Sequence, residues 1–250
     1  MGYDFYYQKL KEEHQRIYRH LYQGFFNMNQ IVEFESNEHD HTKVFDVYFA
    51  LYYDHPELFY IGPSISLTYQ PLSNGKTKYV VNGEFIANKY LIEKKKKTID
   101  EFLVSFRKKC RMKSDIYIIN LWLDWLSKNV KYDINNLMNQ NASRVLVEFV
   151  GQCSGVANAT KLVFDYLGID TIFIIGDAVD ESSKTPHAWN IVKLDGTWYQ
   201  LDPTWVFGLS QAMGNGKLEN TYNMKSDASF SKDHEWERSK FPSCPRDLDK

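Results

Sequence analysis

The stretch TPHAWNIVKLDGTWYQLDPTW, residues 185–205, decides the fold of this chain. Two runs of strand-forming residues, Pro186 to Leu194 and Thr197 to Asp202, flank the dipeptide Asp195-Gly196. An Asp-Gly dipeptide is a strong signal for a two-residue hairpin turn, because both central positions of that turn require a positive φ. The sequence therefore predicts an antiparallel hairpin in this region.

The turn also determines which residues of the hairpin face one another. Counting outward from the turn, Trp189 pairs with Asp202, so His187 lies diagonal to Asp202 on the same face. Diagonal neighbours have Cβ atoms about 7 Å apart, within reach of an imidazole–carboxylate hydrogen bond. We therefore predict a His187–Asp202 couple in which the carboxylate fixes the tautomer of the imidazole.

A cysteine upstream of this hairpin is a candidate nucleophile. Cys153 lies between Gly151 and Gly155, at the start of a helical pattern that runs to Leu167. The unpaired N–H groups at a helix N-terminus stabilise an anion and lower the pKa of a thiol. The alternative is a structural cysteine, since free cysteines are often buried. A cysteine, a histidine and an aspartate in this order, each in a suitable local setting, favour the nucleophile.

Patterns elsewhere in the chain predict a mixed architecture. A first amphipathic helix covers 4–22 and is ended by Gly24. Further helices are predicted near 42–54, 90–112, 115–130 and 151–167, and strands near 64–70, 76–84 and 171–175, with a hairpin turn at 71–75. No Pro-, Gly- or Ser-rich linker interrupts the chain, so we predict only a soft domain boundary near residue 112.

The composition excludes several classes of protein. The chain of 250 residues is 43% apolar and 25% charged, which is typical of a folded protein and not of a disordered one. Its 30 basic and 32 acidic residues argue against nucleic-acid binding, which normally needs a basic excess. No apolar run approaches the roughly 18 residues of a transmembrane helix. Three cysteines are too few for a disulfide scaffold, although Cys110 and Cys244 could pair in an exported protein.

Three segments around these residues resemble the transglutaminase-like (papain-related) superfamily, and bacterial members in particular. They are Gly151-Gln152-Cys153-Ser154-Gly155, His187-Ala188-Trp189-Asn190, and the run WYQLDPTW at 198–205. The resemblance extends from about Asp115 to Trp205 and includes Tyr132-Asp133, which looks like a tyrosine-aspartate step that precedes the nucleophile helix. Val156 departs from the aromatic residue that often follows Cys-x-Gly in the family.

The resemblance implies a role for each residue of the predicted site. Cys153 would be the nucleophile, His187 the general base and acid, and Asp202 the residue that orients His187. The chemistry would be attack on an amide carbonyl, a thioester intermediate, and release by water or an amine. The first oxyanion donor would be the backbone N–H of Cys153, and the candidates for the second donor are Gln152 and Tyr132.

The sequence thus predicts an α+β protein in two regions. A helical N-terminal region with a small β-hairpin covers 1–112. A papain-like transglutaminase core, with the nucleophile helix packed on an antiparallel sheet, covers 113–250 together with a C-terminal extension. The expected function is that of a cysteine-dependent acyl-transfer enzyme acting on peptide or protein amides, of the transglutaminase, deamidase or peptidase type. The alternative is a non-catalytic module that binds a protein or a cell surface on the same scaffold.

The sequence gives less direct information about cofactors, partners and cellular location. No cofactor and no metal are expected, because neither a Cys-x-x-Cys pair nor an acidic calcium loop is present. The expected partner is a protein or peptide substrate, with no nucleic acid and no transmembrane segment, and the oligomeric state stays open. The N-terminus as written has no secretory signal, which indicates a cytoplasmic protein. A trimmed N-terminus would instead fit an exported or cell-surface protein, like many similar bacterial proteins.

Overall fold

The computed structural model of the protein describes residues 2–136, 140–214 and 216–248. The chain forms two compact units, one of residues 4–96 and one of residues 97–250 together with residues 1–3. The division falls within helix α4 (Lys89–Cys110). A functional boundary at residue 112 stays a prediction. Among the residues that the structure describes, no helix has the length and apolar character needed to cross a membrane.

The unit of residues 4–96 is a three-stranded antiparallel sheet with helices. Its elements are α1 (Phe5–Gln8), α2 (Glu12–Phe26), β1 (Ile31–Ser36), α3 (His41–Asp54), β2 (Ile61–Pro71) and β3 (Thr77–Phe85), with the strands in the order β1-β3-β2. The hairpin β2–β3 is the one predicted from the turn at 71–75, and Gly75 has a φ of +80° there. The buried Asp54 carboxylate accepts the backbone N–H groups of Tyr6 and Tyr7, which holds α1 against α3.

The prediction of one N-terminal helix ended by Gly24 is wrong in two respects. The helix is divided into α1 and α2, and α2 continues past Gly24 to Phe26. A Cβ atom at Gly24 would lie 2.3 Å from a methyl group of Val32. Glycine is therefore required at this position by the close approach of β1 and not as a helix terminator.

The unit of residues 97–250 contains the predicted hairpin within a four-stranded sheet. Its elements are α5 (Asp115–Asn129), β4 (Lys131–Tyr132), α6 (Ala142–Glu148), β5 (Val150–Gly151), α7 (Cys153–Leu167), β6 (Thr171–Val179), β7 (Lys184–Leu194), β8 (Thr197–Leu201), α8 (Pro203–Met213), α9 (Asp227–Phe230) and β9 (His234–Glu235). The order of the large sheet is β8-β7-β6-β9, antiparallel throughout. Helix α7 packs on β7, and the predicted α+β fold is confirmed.

The register of the β7–β8 hairpin is the one predicted from its turn. Leu194 pairs with Thr197, and Asp195 and Gly196 between them have φ values of 48° and 79°. Positive φ at both central residues matches the right-handed twist of the flanking strands. The pairing continues to Asn190 opposite Leu201, which places the residues beyond it at the end of the hairpin where α7 begins.

Helix α7 is held on the sheet by both apolar and polar contacts. Its residues from 155 to 164 are buried, and Gly168 ends the helix with a φ of 84°, as predicted. The buried Asn190 side chain on β7 donates to the Ala157 carbonyl, with 3.1 Å between nitrogen and oxygen. On the other side, the Trp122 indole of α5 donates to the Thr160 hydroxyl at 2.9 Å. These bonds fix the position of α7 along its axis and its rotation about that axis, and Cys153 is the first residue of this helix.

A buried lysine in α7 adds a third anchor. The Lys161 ammonium is fully buried and lies 2.9 Å from an Asp165 carboxylate oxygen. It also donates to the backbone carbonyls of Thr171 at 2.8 Å and Tyr3 at 3.1 Å. A buried ion pair with these additional hydrogen bonds ties α7 to the start of β6.

We expect Lys161→Met to lower the free energy of unfolding of this unit by about 3 kcal/mol, because it removes the buried ammonium from its ion pair with Asp165 and from the two carbonyls that it binds. Lys193→Met is the matched control, since Lys193 pairs with Asp170 at 3.6 Å in a half-exposed position and should contribute less than about 1 kcal/mol. Denaturant unfolding followed by tryptophan fluorescence is the measurement. All six tryptophans lie at or beyond residue 122, so the signal reports this unit. Equal losses in the two variants would contradict the anchoring role.

Candidate active site

Helix α7, strand β7 and the start of α8 bring the three predicted residues together. Cys153 is the first residue of α7, His187 lies on β7, and Asp202 is the N-cap residue of α8. Cys153 is partly buried, His187 is buried, and Asp202 is completely buried. The three side chains therefore lie where the start of α7 meets the end of the hairpin.

The two oxygens of the Asp202 carboxylate bind different partners. Its Oδ2 lies 2.6 Å from Nε2 of His187, and its Oδ1 accepts the backbone N–H groups of Thr204 at 2.9 Å and Trp205 at 3.0 Å. Burial raises the pKa of the Asp202 carboxyl, but the charge and hydrogen bond of His187 outweigh burial and hold the pKa below its usual range. Asp202 therefore remains ionised while it both caps α8 and orients the imidazole.

The imidazole of His187 also affects the pKa of the Cys153 thiol. Burial raises the pKa of Cys153, but the hydrogen bond and charge of His187, together with the backbone N–H of Ala188, lower it below the ordinary thiol value. For His187, burial lowers the pKa, and Asp202 followed by Cys153 raises it well above the ordinary histidine value. Both shifts favour a thiolate–imidazolium pair, which is the reactive form of a cysteine nucleophile.

The two side chains considered as second oxyanion donors differ in their surroundings. The Gln152 side-chain amide donates to the Asn136 carbonyl at 3.3 Å. Tyr132 pairs with Gly151 across β4 and β5, and burial, followed by the charges of Cys153 and Asp202, raises the pKa of its phenol to about 12. The phenol thus keeps its proton at neutral pH and can donate it in a hydrogen bond. Tyr132 is consequently the stronger candidate of the two.

The structure adds a residue that the sequence reasoning missed. His234 on β9 is buried, and its Nε2 lies 3.3 Å from the same Asp202 oxygen that holds His187. The position of His234 depends on the pairing of Ala178 with His234 between β6 and β9. A strand of two residues has no periodic pattern, so its sequence carries no signal for this contact.

Aromatic rings surround the histidine pair. The ring of Trp189 stacks on His187 with 5.9 Å between centroids, and that of Trp205 lies at 5.5 Å. Trp189 is fully buried and its indole donates to Gln200 at 2.8 Å, so it is a wall of the site. These rings exclude water from the bond between His187 and Asp202 and thereby strengthen it.

Among the described residues, His187, Asp202 and His234 form the group whose donor atoms come closest to a metal-binding arrangement, with all three atoms within 4.8 Å of one another. The 2.6 Å separation between the His187 nitrogen and the Asp202 oxygen is a hydrogen-bond distance. An ion bonded to both atoms at about 2.0–2.1 Å on each side would need them farther apart. The arrangement therefore fits a hydrogen-bonded chain better than a metal centre.

The other two cysteines are separate from this site. Cys110 and Cys244 are both free and buried, so the disulfide considered from the sequence is not formed. Burial raises the pKa of both thiols, and for Cys244 the neighbouring Asp227 raises it further. Cys153 is the thiol with the lowered pKa.

The part of the chain that carries this site matches a described protein family. Residues 101–203 match the family model of the transglutaminase-like superfamily. The chain is similar to the crystal structure of "a Putative Cysteine Protease from Cytophaga hutchinsonii" (15% identity, TM-score 0.37, covering 57% of this chain and 62% of that one). It is also similar to that of "a TGase" (17% identity, TM-score 0.40, covering 57% and 44%). The chain thus spans less than two thirds of either structure. No curated protein matches it significantly.

Alkylation by iodoacetamide should report the pKa of the Cys153 thiol. We expect the rate to rise with pH through a midpoint below about 8.5, the ordinary thiol value, because the thiolate is stabilised by His187. In His187→Ala the midpoint should move up, since burial is then opposed only by the Ala188 N–H and the start of α7. The Cys153→Ala variant supplies the background from Cys110 and Cys244. An identical midpoint in the parent and in His187→Ala would show that the two groups are not coupled.

Proposed function

We propose that the protein is a cysteine-dependent acyl-transfer enzyme that acts on peptide or protein amides, and the match of residues 101–203 to the transglutaminase-like family model supports this proposal. One observation carries the proposal: Asp202 is hydrogen-bonded to His187 at 2.6 Å, and the same imidazole lowers the pKa of Cys153, which lies at the N-terminus of α7. A nucleophile, its base and the group that orients the base are the three parts that covalent acyl transfer requires.

The first half of the reaction forms a thioester. The Cys153 thiolate attacks the carbonyl carbon of the amide, and the carbonyl π electrons move onto oxygen. The backbone N–H of Cys153 and the hydroxyl of Tyr132 are the donors proposed for this oxyanion. The His187 imidazolium then gives its proton to the amide nitrogen, the carbon–nitrogen bond breaks, and ammonia or an amine leaves.

The second half releases the acyl group. Neutral His187 takes a proton from water or from an incoming primary amine, which attacks the thioester carbon. The carbon–sulfur bond breaks, the thiolate leaves, and the imidazolium that remains restores the ion pair. Water as the acceptor gives deamidation or peptide hydrolysis, and an amine gives a cross-link. In both cases Asp202 keeps its negative charge and stabilises the imidazolium.

The binding-module alternative makes a different demand on these residues. A scaffold that only binds a partner does not need an imidazole between a thiol and a buried carboxylate. Burying Asp202 as an anion costs free energy, and a binding role alone gives no reason for that cost. The presence of all three residues, with the imidazole bonded to the carboxylate and lowering the pKa of the thiol, therefore favours the enzyme.

Mass spectrometry of peptide substrates tests the reaction itself. The protein is incubated with peptides that contain glutamine or asparagine, with and without a primary amine. We expect one of three products: a gain of one mass unit, an amine adduct or a cleaved peptide. Cys153→Ala should abolish the product and leave the fold intact, because the change removes only the sulfur. Product formation at the parental rate by Cys153→Ala would overturn the proposal.

Asp202→Asn separates the role of this residue in orientation from its role in capping. Asparagine is itself a good N-cap residue, so α8 should persist and the midpoint of thermal unfolding should change little. The amide, however, can present a donor where His187 needs an acceptor, and we expect kcat to fall by about 10³- to 10⁴-fold. Steady-state kinetics and thermal unfolding on the same preparation are the measurements. A loss of activity that merely follows a loss of folded protein would contradict the orienting role.

A further inference from the structure

His234 lies behind the predicted triad, on the side of Asp202 away from the thiol. It is 1% exposed, and it is delivered by β9, beyond the residues 101–203 that match the family. The C-terminal part of this chain thus places a second imidazole beside the buried carboxylate of Asp202. The two imidazole rings are 5.5 Å apart between centroids.

Both nitrogens of His234 face carboxylate oxygens. Nε2 lies 3.3 Å from Oδ2 of Asp202, and Nδ1 lies 2.7 Å from Oδ1 of Asp233. The Tyr222 hydroxyl in turn donates to the other oxygen of Asp233 at 2.7 Å. A continuous chain of hydrogen-bonding groups therefore runs from Tyr222 through Asp233, His234 and Asp202 to the candidate base.

We propose that His234 is a positioning residue of the acyl-transfer site, donating from Nε2 to the Asp202 oxygen that holds His187. This inference rests on the proposed function. Because each ring nitrogen faces a carboxylate oxygen, the arrangement requires a proton on both nitrogens: Nδ1 donates to Asp233, and Nε2 donates to Asp202.

The need for such a donor follows from the bonds of Asp202. Its Oδ1 has two backbone donors, whereas its Oδ2 has His187 and, on the remaining side, His234. An unfilled acceptor site on a buried carboxylate costs free energy, and the group relaxes to reduce that cost. With His234 in place, Oδ2 is engaged on both sides and the direction of its bond to His187 is fixed.

The surroundings of His234 keep its ring in this orientation. Four aromatic rings enclose it, with centroids 4.5 to 5.7 Å away, namely those of Trp189, Trp205, Tyr222 and Phe230. They exclude water as a substitute donor to Asp202. The titratable side chains that face His234 among the described residues are His187 from β7, Asp202 before α8, Tyr222, and its own neighbour Asp233.

Two pairs of variants test the bond itself. Phenylalanine in His234→Phe keeps an aromatic ring in the aromatic surroundings and removes both donors. Glutamine in His234→Gln places an amide donor near the position of Nε2. If His234→Phe does not fold, His234→Asn is compared with His234→Gln, because the shorter asparagine amide reaches Asp233 but not Asp202. Tryptophan fluorescence establishes that each variant is folded.

The readout is the pH profile of Cys153 alkylation by iodoacetamide, which requires no substrate. In His234→Phe we expect the midpoint to rise by about one pH unit, because a less firmly held His187 stabilises the thiolate less, by about the strength of one hydrogen bond. The midpoint of His234→Gln should stay near that of the parent. On a substrate identified by mass spectrometry, His234→Phe should lower kcat about tenfold and leave KM unchanged, since His234 does not contact substrate.

The outcomes separate this inference from the proposed function. A folded His234→Phe with the profile of the parent, or equal shifts in His234→Phe and His234→Gln, would show that His234 only packs. In that case the parent and His187→Ala would still differ, and the proposed function would stand. If the parent itself showed an ordinary thiol midpoint, the coupled thiolate would be absent and both proposals would be overturned.

Discussion

A single buried carboxylate, that of Asp202, joins the parts of the unit that carries the candidate site. One of its oxygens caps helix α8 and the other holds His187, so the hairpin and the helix meet at one group. An anion without solvent is stable only when its lone pairs are engaged by donors. The donors come from β7, the first turn of α8 and β9. The position of the imidazole is therefore a property of the assembled unit and not of the hairpin alone.

The thiol depends on a balance of opposed effects. Burial disfavours its charged form, and the start of α7, the Ala188 N–H and the imidazole favour it. Asn190 and Lys161 contribute indirectly, because they fix α7 against β7 and β6 and so set the distance between helix start and strand. The position of the thiol relative to the imidazole thus depends on groups that lie outside the site.

Local signals in the sequence predict the parts of this site that local geometry controls. Asp195-Gly196 sets the register that places His187 near Asp202, because a two-residue turn allows one pairing. The role of Gly24 could not be predicted in this way, since it is set by the approach of Val32 from another element. The same holds for His234: the pairing of β6 with β9 is long-range, and no turn fixes its register. The engagement of Gln152 by Asn136 likewise depends on tertiary placement.

Strand β9 comes after the other parts of the candidate site in the chain, so these parts are synthesised in a fixed order. Strands β6 to β8 and helix α7 emerge from the ribosome first, and Asp202 precedes His234 by 32 residues. The backbone N–H of Asp202 also bonds to Tyr222, and Gln200 pairs with Lys225, so later residues cover this carboxylate. A nascent chain ending before residue 220 leaves Asp202 open to water, which competes for its hydrogen bonds. The hydrogen bonds that fix His187 on Asp202 are therefore completed only after the residues up to His234 have been synthesised and have folded over this carboxylate.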